Sequence, residues 1–107
     1  MIKINELPIS IKYMVQHHNA WIVGSAANPK ENILKVKDID VIIPFSEWHK
    51  VTGLIPKNAR KNDYGGWKYV EEGQTVDVWP DDLNHFMNSA VPEYLWQPRY
   101  KIRYKKV

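Results

Sequence analysis

The segment KDIDVIIP, residues 37–44, joins a strong apolar pull to two carboxylates at its start. Side chains in a strand alternate between faces, so Ile39, Val41 and Ile43 point one way while Asp38 and Asp40 share the other. At about 3.3 Å of rise per residue, the Cα atoms of Asp38 and Asp40 lie about 7 Å apart. Like charges held that close repel unless a cation or a basic side chain sits between them. A solvated sheet edge with Lys35 and Lys37 as neighbours is the simplest explanation of the pair. A cation-binding face is the other.

Working outward, residues 6–18 carry Leu7, Ile11, Met14, Val15 and His18 at helical spacing. Pro8 suits the first turn of this helix and Asn19 its end. AWIV (20–23) reads as a short buried strand broken at Gly24 and Ser25, and Asn28-Pro29 marks a turn. Past Pro44, residues 46–55 read as a helix capped by Ser46, with Trp48, Val51 and Ile55 inward. Residues 58–79 read as a meander that turns at Gly65-Gly66 and again at Gly73. Asp81 is the expected cap of a last helix, DLNHFMNSAV, closed by Pro92. The remainder, EYLWQPRYKIRYKKV, reads as an edge strand or an extended arm. The order α-β-β-α-β-β-β-α predicts one α/β (α+β) domain, a mixed β-sheet with helices packed on it. Its core spans residues 1–92, and residues 93–107 add a basic C-terminal strand or arm.

Composition narrows the class. The 107 residues are 44% hydrophobic and 25% charged, as in an ordinary globular domain. Five Trp and six Tyr supply a large buried area from few positions. The chain has no cysteine, which excludes disulfides and thiolate metal sites and is compatible with a reducing compartment. No apolar run has the length of a membrane span, and MIKINELPIS lacks a signal-peptide core, so the expectation is a cytoplasmic protein with no membrane partner. The net charge of +3 is concentrated in RYKIRYKKV, where Arg99, Lys101, Arg103, Lys105 and Lys106 interleave with Tyr100 and Tyr104. Such a tail fits either a nucleic-acid backbone or a soluble edge strand.

A third carboxylate sharpens the reading. In TVDVW, Asp77 alternates with Val76 and Val78, so it leaves its strand on the face opposite the core. If that strand neighbours the first, Asp38, Asp40 and Asp77 converge above one sheet. Hard oxygen ligands of this kind suit Mg²⁺ or Mn²⁺ and phosphoryl chemistry. Gly24 and Ser25, directly after a strand, offer close backbone approach and a hydroxyl to a phosphate. Lys35, Lys37, Arg60 and Lys68 are basic groups available to a triphosphate or a nucleic-acid backbone, and Trp67 and Trp79 read as exposed rings available to a base or sugar. No P-loop, G-x-G-x-x-G or G-x-S-x-G motif is present.

Together, VGSAA, KDIDVIIP and TVDVWP resemble the nucleotidyltransferase superfamily, with its DNA polymerase beta-like fold, in a minimal MNT-type form. The resemblance covers roughly residues 5–90, with a Ser25-to-Asp38 spacing slightly longer than in minimal members. It implies that Gly24, Ser25 and Lys37 serve the nucleotide. It also implies that Asp38, Asp40 and Asp77 hold two metal ions and carry catalysis. The activity implied is transfer of an NMP from an NTP, ATP among them, to a nucleic acid, a protein or a small molecule. A catalytically silent nucleotidyltransferase-like binding or antitoxin-type protein, working with a protein partner, is the alternative.

Overall fold

The computed structural model describes residues 1–88 and 94–106. It is an α+β fold built on one mixed sheet of seven strands. These are β1 (Trp21–Val23), β2 (Asp38–Ile43), β3 (Arg60–Lys61), β4 (Trp67–Glu71), β5 (Gln74–Pro80), β6 (Tyr94–Gln97) and β7 (Ile102–Lys105). Their spatial order is β3-β4-β5-β2-β1-β6-β7. Among the described residues, only the β2–β5 pair is parallel, and the other five are antiparallel. Three short helices accompany the sheet: α1 (Ile9–His17), α2 (Phe45–Val51) and α3 (Leu83–Met87).

The period-2 alternation of the strands divides the core in two. On one face Ile22, Ile39, Val41, Ile43, Val76 and Val78 pack with Ile11, Met14 and Val15 of α1 and with Val51 of α2. On the other, Trp21, Val23, Ile42, Trp79 and Leu95 pack with Phe86 of α3. This second cluster is smaller and leaves one end of its face uncovered. The acidic positions of β2 and β5 occur at that end.

Several local expectations change in detail. The first helix begins at Ile9, after a 3₁₀ turn over Ile4–Glu6 and Pro8 as N-cap. Its free N–H groups are capped from across the molecule. Glu72 Oε2 accepts from Ile9 N at 2.7 Å and Glu71 Oε1 from Ser10 N at 3.1 Å. The Ser10 hydroxyl also donates to Glu71 Oε1, at 2.6 Å, which leaves it as acceptor for the Tyr69 hydroxyl at 2.8 Å. Burial pushes the Tyr69 phenol up to about 12, so it stays a proton donor at any physiological pH. Two carboxylates at a helix N-terminus also match the helix dipole.

The second helix starts at Phe45 with Pro44, not Ser46, as its N-cap, and continues as a 3₁₀ turn over Thr52–Leu54. In α3 the cap is Asp82 rather than Asp81, and its carboxylate accepts from Asn84 N and His85 N. The expected end of that helix, including Pro92, lies outside the described residues. Residues 94–97 and 102–105 settle the open choice at the C-terminus: they are strands, β6 pairing with β1 and β7 with β6. Two of the basic side chains of this hairpin are engaged. Arg103 lies 4.5 Å over the Trp96 ring and donates to the Ala27 carbonyl, and Lys105 lies 5.9 Å from the Tyr94 ring.

The meander is fixed by its turns. Glu71 pairs with Gln74, so Glu72-Gly73 is a two-residue turn, and both residues have positive φ, at 52° and 77°. Gly66 has a different reason to be glycine. A Cβ there would stand 1.9 Å from the Val78 carbonyl oxygen and 2.6 Å from Trp79 Cα. Backbone on both sides leaves no room to yield. Gly66→Ala is therefore expected to cost about 2 kcal/mol or more, read as a lower urea midpoint with an unchanged slope.

Candidate active site

The parallel pairing of β2 with β5 sets Asp40 opposite Asp77 and Asp38 opposite Thr75. Neighbouring strands run about 4.8 Å apart, so the Asp40 and Asp77 carboxylates leave the sheet side by side. Asp38, Asp40 and Asp77 line one cavity of about 600 Å³. Lys61, Asn62, Asp63, Tyr64 and Lys68 of the β3–β4 segment form one side of it, and Trp79, Asp81, His85 and Phe86 form another.

Asp77 is buried and Asp38 and Asp40 are half-buried. Burial, then the charges of Asp77 and Asp38, raise the Asp40 carboxyl to about 7, against a smaller opposing pull from Lys68. Asp40 thus holds its proton close to neutral pH. The other two have partners. Asn62 Nδ2 donates to Asp77 Oδ1 and to the Val78 carbonyl at 3.2 Å. The Lys68 ammonium stands 3.6 Å from Asp38 Oδ2. Both of those groups are about half exposed, and salt screens such a pair. Among the described residues, no three His, Cys, Asp or Glu side chains close into a group able to hold a metal ion.

At the far rim His85 Nδ1 donates to Asp81 Oδ1 at 2.9 Å, and Asp81 Oδ1 also accepts from Asp82 N.

The three aspartates predicted from the sequence therefore share one cavity. The other three candidates do not line it. Gly24, with φ 74°, opens a 3₁₀ turn over Gly24–Ala27 just past Val23, which pairs with Asp40. Gly24 is buried and Ser25 exposed, at the Asp40 end of β1. Lys37 is exposed in the bend before β2, and the cavity takes its cations from Lys61 and Lys68 instead. Of the two tryptophans expected to be exposed, Trp79 is buried in the cavity wall and Trp67 packs on the opposite, helix-covered face. Asn62 was not anticipated at all.

Compared with known proteins, the chain matches no family model, no curated protein and no solved structure. Among the described residues no helix is long and apolar enough to cross a membrane.

The raised Asp40 carboxyl has a consequence for stability. The folded chain keeps this proton up to about pH 7, while an unfolded aspartate loses it near 3.8. Between those values the unfolded state binds fewer protons, so stability falls as pH rises. The loss is complete above about pH 7. In a chelator, thermal melting between pH 4 and 8 should show this decline in the parent and a flatter profile in Asp40→Asn.

Proposed function

We propose that the chain is a metal-dependent nucleotidyltransferase that moves an NMP from an NTP, ATP among them, to an acceptor hydroxyl in the cytoplasm. The observation that carries this reading is the β2–β5 register, which sets Asp40 against Asp77 with Asp38 on the same face of one cavity. Three carboxylates around a proton held to about pH 7 are a costly arrangement for a surface with no cationic ligand. Their hard oxygen atoms suit Mg²⁺ or Mn²⁺. When bound by Asp38, Asp40 and Asp77, such ions would neutralise the charge of a triphosphate and of the leaving pyrophosphate.

The chain's own groups supply the rest. Lys61 and Lys68 attract the triphosphate. Gly24 and Ser25 remain the phosphate-binding candidates on the strength of the nucleotidyltransferase pattern, with Lys37, directly before Asp38, as the third. In the transfer itself, the acceptor oxygen attacks the α-phosphorus, the bond to pyrophosphate breaks, and the acceptor proton passes to a carboxylate of the trio. Asp77, held by Asn62, is the group best fixed for that role. A nucleic-acid acceptor would meet the basic residues of the β6–β7 hairpin, while a protein or small molecule would not need them.

A second reading has its own support. Asn62 donates to Asp77 and Lys68 stands near Asp38, so two of the carboxylates have protein partners without any metal, as a silent nucleotide-binding or antitoxin-type protein requires. The two readings part on one experiment. The protein is incubated with each labelled NTP and Mg²⁺ in the presence of total RNA, protein and metabolites. Transfer predicts label in one of these fractions, lost in Asp40→Asn and Asp77→Asn. It also predicts a Mg²⁺-dependent rise in Tm that both variants lack. Nucleotide binding with no label in any fraction is the outcome of the second reading.

A further inference from the structure

Tyr64 combines exposure with fixation. Its side chain is 56% exposed at the mouth of the carboxylate cavity, although large exposed rings usually belong to loops free to move. This loop is held at three points. Asn62 Oδ1 accepts from Tyr64 N at 3.0 Å and from Gly66 N at 2.7 Å. Gly66 is pressed onto the backbone of Val78 and Trp79, where no Cβ fits. The Tyr64 ring itself rests on Trp79, centroids 4.9 Å apart, and Trp79 is 8% exposed. The same Asn62 that orders this loop also holds Asp77.

Distance gives the arrangement its meaning. Trp79 follows Asp77 by two residues on the same face of β5, a Cα separation of about 7 Å. A fixed aromatic surface thus stands next to the carboxylates and the Lys61 and Lys68 ammonium groups, in a cavity of ligand size. A nucleotide has the matching parts in the matching order: a flat ring, a spacer, then phosphates.

We infer that the Tyr64 ring, backed by Trp79, is the stacking platform for the nucleobase, and that Asn62 positions platform and carboxylate together. The inference rests on the nucleotide reading of the site and adds the base subsite to it. A stacked ring is read by its π-face rather than by hydrogen bonds, so the site takes any base and favours the larger purines.

Calorimetric titration tests this with four probes: ATP with Mg²⁺, CTP with Mg²⁺, adenosine alone and tripolyphosphate. ATP should bind more tightly than CTP. Tyr64→Phe should stay within two-fold of the parent for every probe. Tyr64→Leu keeps an apolar cover over Trp79 and guards against loss of folding. It should weaken ATP and adenosine about ten-fold and leave tripolyphosphate unchanged. Unchanged ATP affinity in Tyr64→Leu, or an equal loss for tripolyphosphate, overturns the platform. Adenosine carries no phosphate and needs no metal, so the platform and the transfer reading fail separately. Adenosine binding that depends on the Tyr64 ring, in a protein that labels no acceptor, upholds the platform while the transfer reading falls. Label transfer with an unchanged KM for ATP in Tyr64→Leu does the reverse.

Discussion

The arrangement on which the site depends is the parallel pairing of β2 with β5. Among the described residues it is the one parallel pair in an otherwise antiparallel sheet, and α2 with the β3–β4 hairpin fills the crossover between its strands. Because side chains alternate with period two, a slip of one residue in one of these strands would send its carboxylates into the helix-covered core. Ile39, Val41, Ile43, Val76 and Val78 resist that slip, since it would also expose them. The hydrophobic effect therefore fixes where the charges stand. Two unit charges about 5 Å apart repel by about 3 kcal/mol at an effective dielectric of 20. Keeping a proton on Asp40 to about pH 7 is how the fold avoids that cost without a cation.

Asn62 is the polar counterpart of that apolar register. Its Oδ1 accepts from Tyr64 N and Gly66 N, and its Nδ2 faces Asp77, the Val78 carbonyl and, at 3.4 Å, the Trp67 carbonyl. An amide nitrogen has only two hydrogens, so the long contact shares one of them. Every donor and acceptor of the side chain is in use. An aspartate at this position would set a fourth carboxylate against Asp77, and a leucine would leave the loop amides without their acceptor. The residue fastens the β3–β4 turn to β5 and at the same time occupies Asp77 Oδ1.

The fold and the acid trio were legible because their signals are local. Alternation in DIDVII and TVDVW is complete within each strand, and the Glu72-Gly73 turn even contains the register of β4 on β5. Pairing Glu71 with Gln74 and counting back three residues sets Lys68 opposite Asp77. That count, made on the sequence, would have brought Lys68 forward in place of Lys37. Other features lie beyond any local pattern. The cap of α1 comes from Glu71 and Glu72, more than sixty residues away, so the sequence around Pro8 offers no sign of it. Asp81 and Asp82 are both competent caps, and only the path of the chain selects the second. Ser25 and Lys37 satisfy a motif by spacing, but spacing does not say which residues line the cavity, and these two, in the 3₁₀ turn after β1 and the bend before β2, are not among them.

The sheet order also decides which cations the carboxylates sense. The β3–β4 hairpin adjoins β5, so Lys61 and Lys68 reach the cavity directly. The basic β7 strand lies three strands beyond β2, about 14 Å across the sheet. That exceeds the Debye length of about 8 Å at physiological salt, so its exposed charges are largely screened from the carboxylates. Two of them are also committed nearby, Arg103 to Trp96 and the Ala27 carbonyl and Lys105 to the Tyr94 ring. Burial lowers the proton affinity of Arg103, which its place against the Trp96 face partly offsets. The hairpin is an edge of the sheet, held by the β6–β7 backbone ladder, with two of its cations resting on aromatic rings of β6. The lysines that line the cavity are Lys61, next to Asn62, and Lys68 in β4.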